Sequence, residues 1–419
     1  MGNGKTTAML DYVRNHPDTS FIYVTPYLNE IQRVRRQIGY TFKEPQNTGE
    51  GKLAAFHELL SEGKNIATTH ALFLMATDET IQLIKEHSYT LILDETLDVF
   101  KEYNEVVSAL DGKAVNKSDV QWLREEGYLH VTEDDYMVTW SGGYVEGFHF
   151  SEVKRLAESG SLRCIDDMLY WEYPVKVFTA FSEVYILTYL FEGSMLSSYL
   201  TMYGYEYEKL SACKDESGQY RICEYSEDKG QRADLRRLID IYEGDLNEIG
   251  RAHNAFSVNW LLNLKADTVN KLQNTVISYK RSQKARARDL MWTTTKNSDF
   301  YKKIEGVKGF KYIKRLTKEE KELDDISLRP LKCFVPCTTR ATNNFADRSV
   351  LIYLLNRYMK PEIEKYFIAR EAPIDRDLFA LSELLQWIWR GAIRNQKPMH
   401  VFVPSYRMRE MLLDWLYDE

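Results

Sequence analysis

Two clusters in this 419-residue chain carry chemistry by residue type and spacing. The first is Gly2-Asn3-Gly4-Lys5-Thr6-Thr7, which matches the second half of a phosphate-binding loop, G-x-x-x-x-G-K-[ST]. Small residues let backbone N–H groups close around phosphate oxygens, and the following helix points the positive end of its dipole at them. In such a loop Lys5 meets the β- and γ-phosphates, and Thr6 offers its hydroxyl to Mg²⁺. A glycine turn capping a surface helix is the plainer reading of the same residues.

The second cluster is Asp94-Glu95, where the apolar run Leu91-Ile92-Leu93 ends abruptly on acids. Carboxylates at the carboxyl end of a parallel strand lie where such sheets bind ligands. There Asp94 would orient Mg²⁺ and Glu95 would polarise the attacking water. An isolated acid pair at a solvated strand end is common. This one gains meaning from the lysine-bearing loop about ninety residues before it. Together the clusters imply ATP and Mg²⁺ as ligands.

A third set, Gln386, Arg390 and Arg394, lies near the carboxyl end. Arg390 and Arg394 are spaced to share one face of a helix, a fork suited to the charge on a transferring phosphoryl group. Two solvated arginines opposite the apolar Leu384, Leu385, Ile388 and Ile393 fit the spacing as well. Positive charge is densest in the run from Lys280 and Arg281 through Lys284 to Arg288, and again at Arg33, Arg35 and Arg36. Such clusters neutralise nucleic-acid phosphates, but solvated helix faces have the same composition.

The elements that must position these residues alternate in type. Helical patterns at Thr6–Asn15, Asn29–Ile38 and Lys52–Glu62 separate strand patterns at Phe21–Val24, Asn65–Thr69 and Thr90–Leu93. Alternation of this kind implies a parallel sheet covered by helices on both faces. From 99 to 176 the pattern loosens into an α+β insertion, with a helix at Asp119–Glu126 and a hairpin at Tyr128–Trp140. Strand-like runs resume at Val175–Phe181 and Val184–Phe191. The second half carries expected strands at Tyr220–Tyr225, Asp289–Thr294, Cys333–Pro336 and His400–Pro404. Its expected helices are Leu246–Asp267, Val350–Tyr358, Leu378–Ile393 and Arg407–Tyr417.

Length and composition bound the rest. A chain this long, 44% hydrophobic and 28% charged, suits two cores. No apolar run reaches the roughly 20 residues that cross a bilayer, and the start MGNGKTTAML is no secretory signal. The five cysteines are odd in number and scattered, as expected of reduced thiols in a cytosolic protein. A net charge of −7 gives no global attraction to nucleic acid, which leaves a local basic groove as the means of binding it.

With these motifs in this order, the chain resembles a superfamily 2 helicase, in particular the phage-encoded DEAD-like proteins. Val24-Thr25-Pro26 is similar to the family's motif Ia, which holds the nucleic-acid backbone, and Ala67-Thr68-Thr69-His70 to its next phosphate-gripping turn. Leu187-Thr188-Tyr189 lies where motif III couples ATP to strand binding, and Trp292-Thr293-Thr294-Thr295 could open the second domain's contacts in the same manner. The segment from Gln386 to Arg394 resembles motif VI, Q-x-x-G-R-x-x-R, with Trp389 in place of its glycine and the second arginine one position late. Arg390 is therefore the better match. Arg340, Asn343, Asn344, Asp347 and Arg348 fall where motif V belongs.

The resemblance implies two RecA-like P-loop NTPase domains with mostly parallel sheets, one over 1–204 carrying the insertion and one over 205–419 carrying the arginine fingers. It implies an ATP-dependent helicase or translocase that works between the two lobes. Thr25, Pro26, Arg33, Arg36, Thr68, Thr69, His70, Lys280, Arg281 and Lys284 would then face nucleic acid, DNA in preference to RNA. Replication, recombination or packaging proteins would be partners, no membrane would be involved, and the location would be the host cytoplasm if the chain is phage-encoded. Two other readings stay open: a terminase-type packaging ATPase, which needs a nuclease with clustered acids, and a catalytically impaired nucleic-acid-binding scaffold. If Gly4 is the second glycine of the loop, the first falls two residues before Met1. The expectation is then a natural start upstream, with the strand that launches the loop.

Overall fold

The computed structural model describes residues 4–39, 41–47, 49, 51–108, 113–142, 149–226, 229–296, 298–312, 332–339 and 344–417. The chain divides into two compact units. One runs up to Tyr225 and takes in Met359–Asp375; the other holds Ser226–Tyr358 and the chain from Arg376 onward.

In the first unit helix α1 (Lys5–Asn15) precedes strand β1 (Phe21–Thr25), and helix α2 (Leu28–Gln37) follows it. Strands β2 (Ile66–Thr69) and β3 (Thr90–Asp94) complete the opening alternation. Every residue of β1 is buried, as expected of a parallel strand covered on both faces. Met9, Leu10 and Val13 of α1 pack with Ile31 and Val34 of α2 on the side chains of this sheet.

The insertion supplies β4 (Phe100–Glu102), β5 (Leu129–Val131), β6 (Val138–Trp140), β7 (Leu162–Ile165) and β8 (Met168–Glu172). They form an antiparallel sheet in the order β4-β8-β7 and the separate hairpin β5–β6. Strand β9 (Glu183–Leu187) then returns to the main sheet, whose order is β2-β1-β3-β9 with every pair parallel. Outer strand β9 leaves Glu183 and Val184 exposed. Val175–Ala180, expected as a strand, is a 3-10 helix that follows Pro174.

The boundary expected at residue 205 lies instead at 226. Hairpin β10 (Leu210–Lys214) and β11 (Tyr220–Glu224) packs on α1, with Ile222 against the core described above. Helix Pro361–Ala369 also belongs to the first unit. Its Tyr366 stacks on Phe100 at 4.8 Å and donates to Glu172 at 2.7 Å.

The second unit is built on β12 (Ile239–Ile241), β13 (Leu290–Thr293), β14 (Val350–Tyr353) and β15 (Met399–Phe402). Their order is β12-β15-β14-β13, again all parallel. Val350–Tyr353, expected as helix, is a fully buried strand, because a continuous apolar run satisfies either pattern and only its two strand neighbours decide. The single helix expected over Leu246–Asp267 is broken into a 3-10 turn at Asp245–Gly250, a short helix at Val258–Leu262, and the start of helix Ala266–Ser282. At Gly250 a Cβ would collide with the Pro404 carbonyl oxygen, so close backbone approach demands glycine there. The architecture is the expected one, two RecA-like α/β units with an α+β insertion on the first.

Candidate functional site

Gly4 caps α1 in the left-handed conformation, φ +75°, which glycine adopts without steric cost. The first turn has no side-chain cap and no acidic residue, so its backbone donors face no competing carboxylate of their own helix. Lys5 follows, half-buried, with its ammonium in the field of Glu95 and Asp94 and 5.9 Å from the Tyr189 ring centre. Burial holds the Lys5 pKa below its ordinary value, against the pull of the two carboxylates. Thr7 is exposed.

Parallel pairing of β3 with β1 and β9 brings Asp94 and Glu95 to the carboxyl edge of the sheet, as expected. Burial, then the adjacent Glu95 charge, push the Asp94 carboxyl up to about 7. Tyr23 Oη donates to Asp94 Oδ2 at 3.0 Å and also meets the Thr6 side chain. Glu95 has φ +71°, a conformation that costs a non-glycine residue roughly 1–3 kcal/mol, and its N–H donates to the Leu187 carbonyl at 3.2 Å. The turn therefore fixes where the Glu95 carboxylate starts from. Lys5, Thr6, Asp94 and Glu95 are thus brought together.

The turns expected to grip nucleic acid share this edge. Thr25 and Thr68, at the ends of β1 and β2, bury hydroxyls with no hydrogen-bond partner in the structure. The Thr69 hydroxyl caps helix His70–Phe73, and His70 Nε2 lies 3.2 Å from the Asp94 carbonyl oxygen. Pro26 is half-buried, and Tyr27 and Leu28 beyond it are exposed. Arg36 is exposed, and Arg33 folds back on the buried Glu30 at 2.6 Å, where its charge is felt at Asp94. The i,i+3 pair sets the resting position of the Arg33 guanidinium.

In the second unit the arginine set departs from expectation. Helix Arg376–Ile388 carries a half-buried Gln386 but stops before Arg390, which is 4% exposed, while Arg394 lies exposed on the 3-10 turn Ala392–Asn395. The two arginines therefore do not share a helical face. Gly391 breaks the helix where a Cβ would press on Met399 Sδ and the Arg348 carbonyl, and Ala392 N–H donates to that carbonyl at 2.7 Å. Arg348 itself is buried and bonds the Arg288 carbonyl, a structural task.

The basic run is also partly committed. Lys280 is half-buried, 5.5 Å from the Phe310 ring centre, and Arg286 and Arg288 pair with Asp289. Arg281 and Lys284 are exposed. The run leads into the amino end of β13, whereas the partnerless buried hydroxyls of Thr293, Thr295 and Ser405 lie at or just beyond the strands' carboxyl ends. Asn344 and Asp347 are exposed; Gly2, Asn3, Arg340 and Asn343 lie outside the described residues.

Sequence reasoning missed Tyr23. The available signal was a phenol inside an otherwise apolar buried run, whose hydroxyl must find a partner. It also missed Arg407, which bonds Asp377 at 2.6 Å and Asn356 Oδ1 at 3.0 Å beneath the Tyr358 ring. The five cysteines are free, and among the described residues no group of three or more His, Cys, Asp or Glu is placed to hold a metal ion. No helix among them is long and apolar enough to cross a membrane.

Comparison with known proteins places the chain. Residues 233–416 match the family described as the YonV C-terminal Rossmann-like domain. The whole chain is 36% identical over 431 positions to the SPbeta prophage-derived uncharacterized protein YonV of Bacillus subtilis (strain 168), covering 97% of that protein. A solved structure of S. tokodaii Xpd4 superposes with a TM-score of 0.45 at 12% identity, over 98% of this chain and 91% of that one. The chain belongs to the YonV family.

Proposed function

We propose that this YonV-family chain hydrolyses ATP with Mg²⁺ and couples hydrolysis to movement along nucleic acid, DNA in preference to RNA. One observation carries the reading: a lysine after a left-handed glycine at a helix start shares its surroundings with two adjacent carboxylates at the end of a buried parallel strand. In this reading the donors of the first turn of α1 bind phosphate oxygens, and Lys5 meets the γ-phosphate. Glu95, held by its turn, orients a water for in-line attack and draws its proton.

The residues fit a magnesium ion. Thr6 offers a hydroxyl and Asp94 a carboxylate, hard oxygen donors of the kind that ion prefers, and the raised Asp94 pKa marks a buried acid short of positive charge. Bound there, the ion would neutralise charge on the β- and γ-phosphates. Thr69, His70 and Arg36 would hold the nucleic-acid backbone at this edge, with the buried Thr25 and Thr68 behind them, and the exposed Arg281 and Lys284 of the second unit would meet phosphates as well. Of the arginines, Arg394 is exposed and Arg390 is buried, which makes Arg394 the candidate to meet a phosphate. The relative's prophage origin supports work in a bacterial host's cytoplasm, beside replication, recombination or packaging proteins.

The test is ATP hydrolysis with and without single-stranded DNA or RNA. Stimulation that disappears in Lys5→Ala and Glu95→Gln is expected. Hydrolysis untouched by either substitution would exclude this site.

A further inference from the structure

Tyr23 reaches both residues assigned above to the metal. Its phenol donates to Asp94 Oδ2 at 3.0 Å and meets the Thr6 side chain. The ring is fully buried in β1, edge-on to Phe42 at 6.4 Å, in the core that α1 and α2 close. Phenylalanine would fill nearly the same volume, so packing alone does not ask for a hydroxyl. A buried hydroxyl is costly unless bonded, and the partners this one has found are oxygens of a single candidate ligand set.

Position makes the contact rigid. Tyr23 pairs in register with Ile92, two residues before Asp94, and β1 is locked between β2 and β3. Proton count then fixes the bond directions: the phenol's hydrogen goes to Asp94 Oδ2, so its oxygen accepts from Thr6. Neither bond uses a lone pair of Thr6 or the Oδ1 atom of Asp94. On the side of α2, the Glu30–Arg33 pair adds charge of both signs to the field at Asp94.

We infer that Tyr23 is a positioning residue for the divalent cation, holding the Thr6 hydroxyl and the Asp94 carboxylate in a fixed relation through one phenol. The inference rests on the nucleotide-site reading. Partners that orient metal ligands in this way change metal affinity by about 10–100-fold when removed.

The experiment is a Mg²⁺ titration of the binding of a fluorescent, non-hydrolysable ATP analogue to the full chain. For Tyr23→Phe the half-saturating Mg²⁺ concentration should rise by about tenfold, with the melting temperature and metal-free analogue binding close to wild type. Asp94→Asn in the Tyr23→Phe background should add less than it does alone, since the phenol acts through Asp94. A Tyr23→Phe titration that overlays wild type overturns the inference. So does strict additivity of the two substitutions, or a Tyr23→Phe chain that loses its fold, which would make the hydroxyl a folding determinant. If wild-type binding ignores Mg²⁺, or Lys5→Ala binds the analogue like wild type, the nucleotide reading itself fails.

Discussion

His70 Nε2 stands 3.2 Å from the backbone carbonyl oxygen of Asp94. A ring nitrogen that bonds a carbonyl oxygen must carry a hydrogen, so this contact selects the tautomer protonated on Nε2. It joins the turn after β2, proposed to grip nucleic acid, to the turn that carries Asp94 and Glu95, proposed to serve the nucleotide. A shift of His70 toward a phosphate would be felt at Asp94 through that single bond.

His70→Ala should therefore weaken communication between the two sites. The ratio of DNA-stimulated to unstimulated hydrolysis is expected to fall by about five- to tenfold, the size of a modest coupling energy. Steady-state rates across a DNA titration measure it. An unchanged ratio would show that the bond carries no coupling.

The Asp94 carboxyl gives a pH prediction with a definite sign. Its pKa rises from 3.8 to about 7 on folding, so the folded chain prefers the protonated form. The group weighs least on stability below pH 3.8; its cost grows as pH rises toward 7 and levels off above. In ligand-free protein with chelator, Asp94→Asn should be more stable than wild type by of the order of 2–4 kcal/mol at pH 8, and the gap should shrink toward pH 4. Urea unfolding at several pH values tests this. A gap independent of pH would mean that Asp94 is not a strained acid.

The exposed and buried arginines should separate cleanly. Arg394→Ala is expected to lower stimulated hydrolysis by about a hundredfold or more, with a smaller effect on the melting temperature than Arg390→Ala, as loss of a transition-state cation does. Arg390→Ala should instead destabilise the fold by about 1–3 kcal/mol, because its side chain is buried beside the Gly391 turn. The opposite pattern would return the catalytic role to Arg390.

Which parts of this were legible in the sequence follows from the range of the contacts. Gly4-Lys5-Thr6 and Asp94-Glu95 stand out because the phosphate and metal chemistry proposed for them would use consecutive residues, beside strands that announce themselves as apolar runs. Tyr23 could not be assigned, since its partner is 71 residues away and the register of β1 against β3 is not written locally. Arg390 and Arg394 were misplaced because spacing assumes a continuous helix, and the close packing at Gly391 ends it first. The strand Val350–Tyr353 and the return of helix Pro361–Ala369 to the first unit depend on tertiary neighbours alone.

That returning helix rests on a buried ion pair. Arg163 and Glu172 meet at 3.0 Å with 5% and 2% exposure, and Tyr366 and Tyr203 both donate to the same carboxylate. Glu172→Gln leaves the Arg163 guanidinium buried without a counter-charge, which costs about 3–5 kcal/mol. Because Tyr366 would lose a charged acceptor in the same step, the segment Met359–Asp375 should loosen before the main sheet does. Limited proteolysis of Glu172→Gln is expected to cut within 359–375 at protease levels that leave wild type intact. Adding Arg163→Met should recover much of the lost stability, since replacing both charges removes the unpaired one. A Glu172→Gln chain as stable as wild type would show that the tyrosines alone hold the helix.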